Sequence, residues 1–118
     1  KIMMKVKTGR IINITTIAVP LRLKGEAVYA ASKAAVNTLT QVMAAELAPM
    51  GITVNAVGPT PIQTDLIKNV PQDKLKALRS QLPLNQFNTV EDISNVIDFF
   101  IKPESSAVTG QIIYLGGV

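Results

Sequence analysis

A β-branched run, a long alanine-rich segment without glycine or proline, and a second β-branched run follow one another over residues 11–57, and few folds accommodate that order. Ile11, Ile12, Asn13, Ile14, Thr15, Thr16 and Ile17 favour an extended backbone, because branching at Cβ fits a pleated surface better than a helix. The run is almost continuously apolar, which predicts a strand covered on both faces. Ala27 to Ala48 reads as one long helix, stopped at Pro49-Met50-Gly51. Val36, Met43 and Leu47 mark one apolar stripe on it, and alanines spread small side chains over much of the remaining surface. Ile52 to Val57 then forms a second short strand, ended by Gly58-Pro59. Strand, long helix, strand is a crossover unit, so the two strands are expected to be parallel neighbours in an α/β sheet.

The segment 59–88 differs in texture. Pro59, Pro61, Pro71 and Pro83 divide it, and short helical pieces are expected near 64–69 and 73–80. Its leucines, with Ile67, Val70 and Phe87, make it apolar for a loop-rich excursion, as for a segment that covers a core edge or a ligand. Thr89 followed by Asp92 predicts a capped helix start, and Val90, Ile93, Val96, Ile97 and Phe100 mark the apolar face of a helix to about residue 100 or 101. Gly110 precedes a last strand, Gln111 to Leu115. Three strands are expected in all.

With 47% hydrophobic and 17% charged residues among 118, the chain can bury a core and is too apolar for a disordered segment. No apolar run approaches the roughly 20 residues of a membrane helix, and Lys1 to Lys7 leads into no cleavable apolar stretch, so the expectation is a cytoplasmic protein without membrane partners. Cysteine and histidine are both absent. This excludes disulfides, thiolate chemistry and a histidine base, and it argues against zinc. The net charge of +4 is uneven: residues 1–24 carry six bases and no acid, the rest six bases and eight acids. No RNA-reading aromatic motif or DNA-binding signature accompanies the basic end. It reads as solvated surface, with attraction of an anionic substrate or partner as the alternative, and no nucleic-acid partner is expected.

Tyr29-Ala30-Ala31-Ser32-Lys33 places a phenol and an ammonium four residues apart, on one helix face. A cation beside a phenol favours the ionised form and lets such a pair exchange a proton with a carbonyl or an alcohol. The spacing by itself is common, and it equally describes a half-exposed aromatic beside a surface lysine.

From Gly9 onward the blocks around this pair resemble the classical short-chain dehydrogenase/reductase family, especially its 3-oxoacyl-reductase-like members. Gly9 to Thr16 is similar to that family's fifth strand, Tyr29 to Val36 to its Tyr-x-x-x-Lys helix, and Ile52 to Pro59 to its next strand. Pro61 to Leu66 corresponds to the segment beside the nicotinamide, and Val108-Thr109-Gly110-Gln111 leads into the final strand. The blocks keep the family order over nearly the whole chain. The resemblance implies the C-terminal half of a Rossmann-like doubly wound parallel sheet, and an NADP- or NAD-dependent enzyme that interconverts a carbonyl and an alcohol, with a 3-oxoacyl thioester as one candidate substrate. Tyr29 would be the acid for reduction and the base for oxidation, and Lys33 would assist it and bind the nicotinamide ribose. The family's substrate-orienting serine aligns with Thr16, thirteen residues before Tyr29, and strand alternation makes Thr15 the poorer substitute. Pro59, Ile62 and Thr64 match cofactor-contacting positions. Thr60 stands where the family usually has glycine, and a bend that needs positive φ would be strained there. Leu115-Gly116-Gly117 replaces the commoner aspartate-glycine-glycine.

A dinucleotide fold opens with a strand, a glycine-rich turn and a helix whose N-terminus receives the pyrophosphate. None of these is in the sequence. The resemblance therefore implies a preceding half with that motif, with the discriminator between NAD and NADP and with the catalytic asparagine. Residues 1–118 would be the C-terminal part of one domain, inactive alone. The strand Ile11–Thr16 would then want a second parallel neighbour from that half, and without it would offer an unpaired edge. The likeness also implies a homodimer or homotetramer formed through long helices. A non-catalytic interaction subunit on the same scaffold is the competing reading.

Overall fold

The computed structural model describes residues 1–64 and 67–118. Three parallel strands, β1 (Gly9–Ile14), β2 (Ile52–Gly58) and β3 (Ile112–Tyr114), form one sheet in the order β1-β2-β3. β1 and β2 pair from Gly9 opposite Ile52 to Ile14 opposite Val57. β3 pairs with the upper half of β2, from Ala56 opposite Ile112 to Gly58 opposite Tyr114. The expected α/β architecture with its parallel crossover is present.

β2 is buried along its whole length because both of its faces are covered. One face meets α3 (Ala27–Leu47), where Ala44 packs on Ile52 and Val54, with Ile11, Met43, Leu47 and Met50 around them. Against the opposite face lies α5 (Val90–Ile101), just beyond which the Lys102 carbonyl accepts a 3.5 Å hydrogen bond from Arg10. Thr89 caps α5 in both directions: its hydroxyl accepts from the Asp92 N–H, and the Asp92 carboxylate accepts from the Thr89 N–H. This is the reciprocal box read from Thr89 and Asp92.

Short helices complete the set: α1 (Ile2–Val6), α2 (Ala18–Leu21) and α4 (Gln72–Ser80). α1 was not expected from the sequence. It carries no buried residue, so no tertiary periodicity announces it. Its left-handed C-cap at Lys7 presses against Gly51, whose φ of +70 and lack of Cβ let the Lys7 carbonyl approach. The first strand ends at Ile14 rather than Ile17, because Thr16 starts a turn into α2, and the last strand is only three residues long. The expected piece near 64–69 falls partly on residues 65 and 66, outside the described residues; the piece near 73–80 is α4. No helix among the described residues is long and apolar enough to cross a membrane.

Before the start of β3, a side chain continues the ladder. The Asn55 carboxamide donates to the Val108 carbonyl at 2.9 Å and accepts from the Gln111 N–H at 3.0 Å, while Thr109 Oγ1 accepts from the Val54 N–H at 3.0 Å. Asn55 thus stands in for a backbone peptide, and it is 1% exposed.

Candidate active site

In a parallel sheet the carboxyl ends of the strands share one edge, and loops leaving that edge are placed to meet a ligand. Here that edge carries the ends of β1 and β2 and the first half of α3. Beyond the last paired strand residues, the Thr15 N–H still donates to the Val57 carbonyl at 2.9 Å, and the Ile17 N–H donates to the Pro59 carbonyl at 3.3 Å. These bonds hold the Thr15–Ile17 turn beside the turn at Pro59.

α3 is bound to the same edge through its Lys33 turn. Lys33 Nζ donates to the Ile14 carbonyl at 2.9 Å, and the Thr15 hydroxyl lies 3.5 Å from the Lys33 carbonyl. An ammonium has three donors, so this bond leaves two for a ligand. One turn earlier on the helix, Tyr29 is 46% exposed, and its hydroxyl has no hydrogen-bond partner among the described residues. No side-chain hydrogen bond joins Tyr29 to Lys33 or Thr16 among those residues.

Thr16 is 8% exposed, and its Oγ1 accepts from the Ala18 N–H at 3.2 Å. That bond uses a lone pair and leaves the hydroxyl proton to be donated. Thr15 points to the other side, toward α3, as alternation along β1 requires, with its methyl beside Gly58. Lys33, Thr16 and Pro59 are therefore gathered at one edge. Ile62 and Thr64 lie a few residues farther on, in the wall of a cleft of about 680 Å³ that opens between the loop after β2, α4 and Phe87.

Thr60 does not strain the bend, because its φ is not positive. It is 3% exposed and forms a reciprocal clip: the Thr60 N–H donates to Asn88 Oδ1 at 2.9 Å, and the Asn88 N–H donates to Thr60 Oγ1 at 2.6 Å. The clip ties the turn after β2 to the entry of α5. Sequence reasoning missed Asn88, which stands in no periodic pattern. It also missed the pair Asn37–Tyr114, in which Asn37 Nδ2 donates to the Tyr114 hydroxyl at 2.8 Å. Asn37 lies one turn after Lys33, and an amide at a core-facing helix position was the available signal. The Tyr114 ring covers Gly58, where an added Cβ would come within 2.5 Å of a ring carbon.

A parallel crossover α/β sheet with a helix seated at its carboxyl edge places the chain in the doubly wound class of folds, which bind ligands at that edge. The chain belongs to the short-chain dehydrogenase/reductase family: the family model described as enoyl-(acyl carrier protein) reductase matches residues 1–117. Among its relatives are proteins named 3-oxoacyl-(acyl-carrier-protein) reductase FabG. That of Rickettsia bellii is 38% identical over 117 residues, covering 99% of this chain and 48% of the relative. That of Vibrio cholerae is 36% identical over 115 residues, covering 98% of this chain and 47% of the relative. The structure of a short-chain type dehydrogenase/reductase from Mycobacterium ulcerans superposes with a TM-score of 0.90 at 30% identity, over 98% of this chain and 42% of that one. The chain thus spans about half the length of the curated relatives it matches.

Proposed function

We propose that residues 1–118 form the C-terminal part of a short-chain dehydrogenase/reductase domain whose whole protein reduces the 3-oxo group of an acyl thioester with NADPH or NADH. The observation that carries this reading is the seating of Lys33: its ammonium is bound at the carboxyl edge of the sheet with two donors to spare, on the helix face that also presents the Tyr29 hydroxyl, which has no hydrogen-bond partner among the described residues. The names of the relatives supply the substrate class.

The donor set fits a nicotinamide nucleotide. Lys33 offers N–H donors to a ribose, Tyr29 adds a hydroxyl, and Pro59, Ile62 and Thr64 lie along the loop where one side of the ring would rest. Such a cofactor, when bound, brings hydride donation to a carbonyl carbon. The residues of this chain manage the oxygen. The Thr16 hydroxyl, held by the Ala18 N–H, donates to the substrate oxygen and polarises the carbonyl. Tyr29 delivers the proton that turns the developing alkoxide into an alcohol, and in the reverse direction removes it. Lys33 stabilises the phenolate left behind. The cytoplasm is the expected compartment. The exposed Val28, Leu39 and Val42 on α3 support assembly into a dimer or tetramer through this helix.

The test is the whole protein's thioester-dependent oxidation of NADPH and NADH, wild type against Tyr29→Phe. Removing a general acid lowers kcat by about 100-fold or more, while cofactor binding should persist. Failure of the wild type to turn over any of a panel of 3-oxoacyl thioesters would overturn the reading, and so would a Tyr29→Phe variant of undiminished rate.

A further inference from the structure

The chain leaves β2 at Thr60, between Pro59 and Pro61, and comes back to enter α5 at Asn88. The reciprocal clip between these two residues therefore closes the neck of the excursion 61–87. Besides its two bonds with Asn88, Thr60 donates its hydroxyl proton to the Pro61 carbonyl at 3.2 Å. Its methyl lies over Gly116, where an added Cβ would meet Cγ2 at 3.1 Å. Each side of the neck is tied to a fixed part of the molecule. The Pro59 carbonyl accepts from the Ile17 N–H, in the turn that carries Thr16, and Asn88 immediately precedes Thr89, the reciprocally capped start of α5. Just past the clip, the Ile62 carbonyl accepts from the Thr64 N–H at 2.7 Å, a tight turn. The prolines fix their own φ and keep the residue before each out of the helical region, so little freedom remains between Thr60 and Ile62.

We infer that Thr60 and Asn88 are positioning residues, whose clip holds Ile62 and Thr64 where the nicotinamide end of the cofactor meets the carboxyl edge of the sheet. The inference rests on the dehydrogenase/reductase reading and adds to it what keeps the loop after β2 in register with the Thr16 turn. The clip is open to this chain because threonine stands where the family usually has glycine, which has no hydroxyl to share. When the clip is broken, the loop spends time in arrangements that do not meet the ring. Affinity for the dinucleotide then falls with the fraction of molecules left competent, while a nucleotide without the nicotinamide binds as before.

The experiment compares three variants of the whole protein with the wild type. Thr60→Val removes the hydroxyl and keeps the branched shape, Asn88→Ala removes the acceptor for the Thr60 N–H, and Thr60→Ser keeps all three bonds. Each is titrated calorimetrically with NADPH or NADH, whichever binds more tightly, and with the same nucleotide lacking nicotinamide, 2′-phospho-ADP-ribose or ADP-ribose. The expected result is a dinucleotide Kd about tenfold higher for Thr60→Val and for Asn88→Ala, with the ADP-ribose Kd held and Thr60→Ser like the wild type. Equal losses for both ligands, no loss for either, or a Thr60→Ser variant as weak as Thr60→Val would overturn the inference and leave the reductase reading intact. A wild type that binds neither dinucleotide overturns both. Amide exchange of the ligand-free protein reads the clip without any cofactor. The amides of residues 62–64 should exchange faster in Asn88→Ala while those of β2 are unchanged, and equal exchange at 62–64 overturns the inference.

Discussion

Thr60 shows how a single residue can mislead when its position is read from a family pattern. A threonine in place of glycine suggested a strained or narrowed bend. The backbone there needs no positive φ, and the hydroxyl and N–H are both committed to Asn88. Restoring the family glycine should therefore destabilise this protein. Thr60→Gly removes the acceptor for the half-buried Asn88 N–H and adds backbone freedom to the unfolded chain, costing about 1–3 kcal/mol in a urea titration. A variant as stable as the wild type would show that the clip contributes nothing net. Tyr29 and Lys33 were legible because a fixed spacing on a helix puts both on one face. Asn37, Asn88 and Tyr114 were not, because each acts through a partner at least 28 residues away, and a single sequence does not encode such pairs. Thr16 was legible as a hydroxyl, but not as an acceptor for a turn N–H.

At the level of elements, patterns with a regular period were read well and terminations less so. The long helix and its stop, the capped start of α5 and the first two strands all follow local rules. The first strand stops before Ile17 because the chain turns at Thr16 while its β-branched composition continues. β3 is one residue shorter at each end than Gln111–Leu115, although the Gln111 carbonyl and the Leu115 N–H still bond to β2. α1 buries no residue and so leaves no periodic signal in the sequence. The short β3 is tolerable because the Asn55 carboxamide completes the ladder with one donor and one acceptor. Asn55→Asp tests this. The new carboxyl can still accept from Gln111, but when ionised it faces the Val108 carbonyl without a proton to offer. The folded state then favours the neutral acid, so the group titrates higher folded than unfolded. The folded form binds more protons over that interval, and stability falls as pH rises through it. The variant should lose about 2–4 kcal/mol at neutral pH relative to the wild type. That deficit should shrink as pH is lowered to about 5, when urea titrations of both proteins are compared at each pH. A deficit independent of pH would show that the carboxylate is not confined there.

For the molecule as a whole, the order β1-β2-β3 puts the strand between Ile52 and Gly58 at the centre, with helices on both faces and a neighbour on each side. β1 has a partner on one side only among the described residues. The reading of a parallel, two-faced sheet came from the nearly continuous apolar runs; the segment 59–88, read as covering a core edge or a ligand, lines most of the cleft, but the sequence did not show which of its residues face it. The central placement of β2 has a consequence in isotope exchange. Amides that open only when the sheet comes apart take up deuterium last. In a pulse of heavy water followed by mass spectrometry, peptides from 52–58 should remain light longest. Those from 2–6, where no residue is buried, should be fully exchanged at the earliest time point. The contrast between these two segments, joined through the Lys7 carbonyl against Gly51, measures how far the opening of an end can proceed before the strand at the centre registers it.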